Sequence, residues 1–530
     1  MRELPSILVA FAIVALVSRL GIDFKISKTY PDYIFGYVAV HMIFGFFGYS
    51  FFRSIFSRIQ SLVALAVTSL VVYYISEIKR GYLGEPLIFN DLTNTENSSV
   101  VVKYLGVLDV ALIAALIALV AISFVFLFRR RRKQELALRL ALLVTVCVVF
   151  SAFHDHYRAK LGDGLKWAGF EYRSWAMAQN FMHNGIFVHL LQTSLRNFPP
   201  EPTAAQRAEF VQDMTGLDED RPKQVIFILC ESCWYDDKNF KSTFEPLTRA
   251  ATATFRSVSP VSGGGTPNST MEWMVGLPVR HPSVSGILYQ EYRDFFSENT
   301  YTLASLYKSL GHTTLAAHNF HSSMWFRRTV APLLGFDEFY DVRDLNISDE
   351  ENYFPRDRHL FDAAKGLLKQ LGSDPYFVHL ITVHMHGPYE EVDGDLGAHG
   401  YQLRAERTVS DTVSFVDWVR KDNPEAVIVV YADHVPPMTP FFEQTGADIS
   451  NVPVWVFDPD EDRARKFAHA GDKKKQFCIN SEFTERYIGV SLPQAAYVKS
   501  VCSPTASHTQ NENNAMVPGW VFFMALFDRG

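Results

Sequence analysis

Three short stretches, far apart in the chain, carry side chains able to hold a cation. They are Cys230-Glu231-Ser232-Cys233-Trp234, Thr382-Val383-His384-Met385-His386 and Ala432-Asp433-His434, and each follows an apolar run. Glu231, Asp433 and His434 together offer two carboxylates and one imidazole. That set suits a divalent ion with mixed oxygen and nitrogen preference, such as manganese or zinc. A structural zinc site would instead close with four ligands, commonly several cysteines. Taken singly, Asp433 reads equally well as a helix cap and His386 as a hydrogen-bonded loop residue. Their joint placement after strands is what points to a site. Cys230 and Cys233 have the C-x-x-C spacing of a zinc or redox pair. Strand alternation turns Cys230 away from Glu231, however, and no second cysteine pair has ligand spacing. Cys478 and Cys502 are a disulfide option in an oxidising exterior.

A fourth stretch, Ser262-Gly263-Gly264-Gly265-Thr266-Pro267-Asn268-Ser269-Thr270-Met271-Glu272-Trp273, could supply a nucleophile. Its glycines permit positive φ and close approach of the backbone to an anion. A helix beginning just after them would aim N–H groups at a phosphate. Thr266 stands at that junction, where a metal could favour its alkoxide. Ser269 and Thr270 are rival nucleophiles, and a flexible loop with a threonine cap is the plainer alternative. No Lys-Ser or Lys-Thr follows the glycines, so the segment is not a P-loop.

These residues need elements to position them. Val225–Leu229, Tyr376–Ile381, Ala426–Tyr431 and Val454–Phe457 are continuous apolar runs, as buried parallel strands are. Helical patterns lie between them, around Thr302–Leu310, Leu360–Gln370 and Gln402–Arg420. The alternation predicts an α/β domain with a mainly parallel central sheet and helices on both faces. Ligands of such domains bind beyond the C-terminal strand ends, where the acids and imidazoles fall.

The first third of the chain reads differently. Five apolar stretches, Leu4–Ile22, Tyr33–Phe52, Ser61–Ile78, Leu105–Phe128 and Leu136–Phe153, are each near spanning length. The basic run Arg129–Lys133, with Arg53 and Arg58, orients them by the positive-inside rule, with the chain after Phe153 outside. The expected organisation is an α-helical membrane domain of five transmembrane helices over 1–153, a juxtamembrane amphipathic helix and linker over 154–220, and an extracytoplasmic catalytic domain over 221–530. Trp175, Phe181, Ile186, Phe187, Leu190 and Leu191 mark the amphipathic helix, which suits either a membrane surface or packing on the catalytic domain. A net charge of −7 argues against nucleic-acid binding. The apolar tail Met516–Phe527 is too short to span and reads as a last strand or a membrane contact.

Taken in order, Ile228-Leu229-Cys230-Glu231-Ser232-Cys233-Trp234, the Gly-Gly-Gly-Thr-Pro-Asn-Ser run continuing to Gly276-Leu277-Pro278, and Ala432-Asp433-His434 resemble the lipoteichoic acid synthase family. That family belongs to the alkaline phosphatase and sulfatase superfamily. The resemblance implies a threonine nucleophile at Thr266 and metal ligands at Glu231, Thr266, Asp433 and His434. It implies one divalent metal ion, manganese first, with zinc or magnesium as alternatives. It places His386 near the transferred phosphate, as a catalytic and substrate-binding residue. Met324-Trp325-Phe326-Arg327 is similar to the family's glycerol-phosphate stretch, so Trp325 and Arg327 are the implied substrate-binding residues, with Arg328 a close rival.

The implied activity is phosphoglycerol transfer from a phospholipid, phosphatidylglycerol or phosphatidylethanolamine, to a glycan or lipid acceptor through a phospho-threonine. The implied location is the bacterial cytoplasmic membrane, with the catalytic domain outside. Thr270 stands where the family usually has an acidic residue, and Met324 and Phe326 also depart from its pattern, which puts donor and acceptor in question. Phosphoethanolamine transfer and a phosphodiesterase or sulfatase-like hydrolysis are the alternatives. The formylglycine pattern of sulfatases is absent after the first strand; Cys502-Ser503-Pro504-Thr505-Ala506 begins like it but lacks the arginine.

Overall fold

The computed structural model describes residues 3–20, 32–83, 86–89, 91, 160–173, 177–195, 197–349, 353–502 and 516–529. The chain divides into two compact units, Met1–Arg196 and Asn197–Gly530.

In the first unit, α1 (Leu4–Leu20), α2 (Asp32–Ile55) and α3 (Arg58–Leu83) form on the first three apolar runs. Phe35–Arg53 and Arg58–Arg80 are long and apolar enough to cross a membrane, whereas α1 has 17 residues and is shorter. The runs Leu105–Phe128 and Leu136–Phe153, the Arg129–Lys133 cluster and Trp175 lie outside the described residues. Among the described residues, then, two helices reach spanning length where the sequence led us to expect five spans in the whole chain. Large apolar side chains point outward on all three helices, with Leu16 68 %, Phe35 74 % and Ile59 76 % exposed. A helix turned to water would carry polar residues there. Helix α4 (Met177–Ser194) packs against α1 and α3. It breaks at Gly185, whose φ is 75° and whose added Cβ would lie 2.9 Å from the Ser18 carbonyl oxygen. Only glycine meets both demands.

The second unit is built on one eight-stranded sheet in the order β4-β3-β5-β1-β6-β7-β2-β8. The strands are β1 (Gln224–Cys230), β2 (Ala253–Val258), β3 (Thr313–His318), β4 (Glu338–Tyr340), β5 (Tyr376–Ile381), β6 (Val427–Ala432), β7 (Val452–Phe457) and β8 (Lys474–Lys475). Strands β1, β5, β6 and β7 are buried at every residue, which is why their sequences are unbroken apolar runs rather than alternating ones. The pairs among β4, β3, β5, β1 and β6 are parallel, while β7 runs antiparallel to both β6 and β2.

Strand β1 lies between β5 and β6, with Leu229 opposite both Ile381 and Tyr431, and Cys230 opposite Ala432. Parallel neighbours sit about 4.8 Å apart. The residues that follow, Glu231 and Asp433, therefore leave the sheet side by side. Apolar side chains fill both faces in two clusters, one around Phe227, Trp273 and Tyr431, the other around Ile228, Trp234 and Phe415. The tail Met516–Phe527 is neither a strand nor a surface contact. It forms a short helix, Gly519–Phe522, and a tight turn, Phe523–Phe527, that bury Val521, Phe522, Leu526 and Phe527 in the first cluster.

Candidate active site

Helix α5 (Thr266–Val275) begins at the end of the glycine run, and Thr266 is its first residue. Gly265 caps it with φ 85°, and a Cβ there would stand 3.0 Å from Val261 Cγ1 and 3.3 Å from Ile287 Cδ1. Gly263 N–H donates to the Val435 carbonyl at 3.0 Å, which ties the loop to the turn after β6. Thr266 is thereby buried with its hydroxyl donating to Glu231 Oε2 at 3.1 Å. The rival hydroxyls are spent elsewhere. Ser269 donates to Gln476 Oε1 at 2.7 Å, and Thr270 donates to the Thr266 carbonyl at 3.2 Å.

Glu231, Asp433 and His434 are all buried, and their ligand atoms lie within 4.8 Å of one another. The turn after β1 places Ser232 at φ 53°, which lets its N–H donate to Asp433 Oδ1 at 2.8 Å and its hydroxyl to Glu231 Oε1 at 2.9 Å. His434 Nδ1 lies 2.9 Å from the Val435 carbonyl, so Nδ1 carries the proton and Nε2 the lone pair. That Nε2 is 3.1 Å from Asp433 Oδ2 and 3.6 Å from Glu231 Oε1, and neither it nor Asp433 Oδ2 has a hydrogen-bond partner among the described residues.

Acceptor atoms converging in a buried space are unfavourable unless something positive lies between them. Two carboxylates and one imidazole held in a fixed tautomer fit a divalent cation, with the Val435 carbonyl orienting the imidazole from behind. Burial, then the neighbouring Glu231 carboxylate, push the Asp433 carboxyl up to about 6. A proton on Asp433 therefore competes with a metal below that pH. Metal affinity measured by calorimetry on the full chain should weaken about tenfold between about pH 7 and about pH 5. An affinity that stays constant over that range would remove Asp433 from the ligand set.

His386 follows β5 and is buried, its Nδ1 2.7 Å from the Gly387 carbonyl, which again leaves the lone pair on Nε2. Burial holds this imidazole down at about 4, so it is neutral at physiological pH. Arg327 opens the helix α6 (Arg327–Leu333) and is 3 % exposed, yet its Nε and Nη1 have no hydrogen-bond partner among the described residues. Its charge faces Tyr289, Glu231, Tyr431 and Asp433. A buried guanidinium with unused N–H groups calls for an anion, and a phosphate suits its fork. Arg328 is 51 % exposed and already paired with Asp341 at 3.1 Å. Trp325 is half-buried in the turn before α6; it and Phe326 both have positive φ, 62° and 54°. Two adjacent left-handed side-chain-bearing residues store strain, which gathers at functional sites.

Two contributors do not stand out in the sequence. His318 ends β3 with Nδ1 2.8 Å from the Ile381 carbonyl, and burial, then Arg327, hold its imidazole neutral. Its strand, Thr-Thr-Leu-Ala-Ala-His, is too short of large apolar residues to stand out, but a β run ending in histidine between two helical segments was the available signal. Ser232 was the other; only the positive φ forced by the turn explains its two contacts. Cys230 and Cys233 form a disulfide, as do Cys478 and Cys502.

A mainly parallel sheet with acids, imidazoles and a helix-start threonine at its C-terminal edge is the plan of one enzyme class, and residues 223–477 match the sulfatase family model. The match lies within this unit and likens it to the sulfatase domains of the alkaline phosphatase superfamily. Within that superfamily the chain's resemblance is to the phosphoglycerol transferases of the lipoteichoic acid synthase family. A protein of Rhizobium meliloti named for cyclic beta-1,2-glucan modification is 24 % identical over 420 residues, covering 73 % of this chain and 65 % of that one. The lipoteichoic acid synthase of Staphylococcus saprophyticus is 29 % identical over 154 residues, 26 % of this chain and 24 % of the synthase. The chain thus spans less than two thirds of the length of either relative. Among solved structures, a Streptococcus pyogenes phosphoglycerol transferase in complex with sn-glycerol-1-phosphate aligns with a TM-score of 0.46 at 17 % identity, covering 62 % of this chain and 96 % of that one.

Proposed function

We propose that the protein is a membrane-anchored transferase that moves a phosphoglycerol group from a phospholipid to an extracytoplasmic glucan through a phospho-threonine. The carrying observation is the Thr266 hydroxyl resting on Glu231 inside a buried cluster of Glu231, Asp433 and His434. Those residues, with Thr266, would hold the divalent ion. Manganese is the first expectation and zinc or magnesium the alternatives; when bound, the ion favours the alkoxide and neutralises charge on the phosphate.

Arg327 receives the phosphate oxygens through its unused N–H groups, and Trp325 covers the glycerol. Thr266 Oγ attacks phosphorus, the bond from phosphorus to the diacylglycerol oxygen breaks, and the proton given up by Thr266 ends on that oxygen as diacylglycerol leaves. In the second step His386 Nε2 takes the proton of an acceptor hydroxyl, whose oxygen attacks the phospho-threonine; the bond from phosphorus to Thr266 Oγ breaks, and His386 passes the proton to the threonine oxygen. The neutral imidazole is the form this step needs. The glucan acceptor is suggested by the name of the rhizobial relative, and phosphoglycerol by the motifs that resemble the lipoteichoic acid synthase family. The apolar outward faces of α1, α2 and α3 favour an anchor in the cytoplasmic membrane, where a phospholipid donor resides.

The test is product analysis. The full chain in detergent with phosphatidylglycerol and a soluble beta-glucan should release diacylglycerol and place glycerol phosphate on the glucan in equal amounts. Free glycerol phosphate alone would make the enzyme a hydrolase, and product only from phosphatidylethanolamine would reassign the head group.

A further inference from the structure

The loop that carries His386 leaves β5 and the loop that follows His318 leaves β3, and past the last paired residues, His318 and Ile381, no ladder joins them. One buried side chain does. Asp357 is the first residue of α7 (Asp357–Leu371) and is 0 % exposed. Its Oδ1 accepts from Val383 N–H at 3.2 Å, from His384 N–H at 3.2 Å and from Asn319 Nδ2 at 3.0 Å. Its Oδ2 accepts from Thr408 Oγ1 at 2.8 Å on α8 (Ala398–Asp422). Val383 and His384 lead directly to His386, and Asn319 directly follows His318. Two of the three residues before Asp357, Phe354 and Pro355, continue the same clasp. Asn319 Nδ2 also donates to the Pro355 carbonyl at 3.1 Å, His384 Nδ1 meets the Phe354 carbonyl at 3.1 Å, and the Phe354 ring lies 4.6 Å from the His386 imidazole. Helix α8 closes the far side, where Arg404 donates to the carbonyls of His386 and Pro388.

We infer that Asp357 is a positioning residue, whose carboxylate fixes the β5 loop so that His386 meets the substrate in register with Arg327 and Thr266. It touches no reacting atom. Its negative charge strengthens the two main-chain bonds at Val383 and His384, which have no strand partner. A loop left to relax by about an ångström would lose much of the rate without losing substrate. The inference rests on the proton-carrying role proposed for His386.

The Asp357→Asn variant keeps the shape and three acceptor contacts at Oδ1, and the Thr408 hydroxyl can rotate to accept from the new amide. Turnover of the full chain should fall about tenfold with KM unchanged within about twofold. In the His386→Ala background the same substitution should change turnover by less than about twofold, because residues that act through one another are not additive. Thr408→Val, which removes one donor and no charge, should show the same pattern at about threefold and serves if Asp357→Asn folds poorly. Rates are read on phosphatidylglycerol and on a chromogenic aryl phosphodiester. Loss on the lipid alone for the wild type counts against the proposed donor and leaves the cycle readable on the aryl diester. An equal loss in both backgrounds, or no loss in either, would overturn the positioning role.

Discussion

Thr266→Ala is expected to lower turnover about 10⁵-fold, near 7 kcal/mol of barrier, while the divalent ion stays bound. The expectation follows from two separable roles. Glu231, Asp433 and His434 bring their ligand atoms together through the register of β1 and β6 and the turn at Ser232, none of which involves Thr266. The ion should therefore remain, its affinity reduced by the loss of one oxygen. No neighbouring hydroxyl is expected to take its place, because Ser269 is hydrogen-bonded to Gln476 and Thr270 to the Thr266 carbonyl. Metal content and steady-state rates on the same preparation check both halves. Activity within tenfold of wild type would assign the chemistry to another group or to direct attack by water.

Arg327→Ala carries the second large effect. The guanidinium is buried, with Nε and Nη1 unpartnered among the described residues, and its charge faces the Glu231 and Asp433 carboxylates. Removing a preorganised donor for a transferring phosphoryl group costs about 10²- to 10³-fold in rate. The stability sign is the more diagnostic part. A buried charge whose N–H groups await a ligand destabilises the free protein, so the alanine variant should melt no lower than wild type without substrate. Arg327→Lys should not restore the rate, since an ammonium offers a point charge in place of a planar fork. A variant that loses stability in step with activity would mark Arg327 as structural.

Much of this arrangement was legible because parallel strands buried on both faces announce themselves as unbroken apolar runs. Val225–Leu229 and Ala426–Tyr431 did so, and the residues just beyond them are Glu231, Asp433 and His434. Sequence could place each at a strand end but could not pair β1 with β6. The pairing is set by which helices cover which face, a property of the whole chain. Strand β3 was missed because Thr-Thr-Leu-Ala-Ala is a weak apolar run, and His318 was missed with it. Asp357 lies just before the helical pattern around Leu360–Gln370, and nothing in its local sequence marks it. Its function as a clasp depends on Asn319 and Thr408, 38 residues before and 51 residues after it. The tail Met516–Phe527 was misread because a short, wholly apolar segment has no period to separate strand from buried helical turn. Of the five spans expected from composition, the second and third coincide with helices of spanning length.

The most direct test is mass spectrometry of the Thr266 peptide after the full chain has been incubated with manganese and phosphatidylglycerol and quenched in acid before any glucan is added. A glycerophosphate adduct localised to the Thr266 hydroxyl is expected, absent when a chelator replaces the metal and discharged when glucan follows. An unmodified Thr266 peptide from a preparation that is visibly consuming the lipid would contradict it.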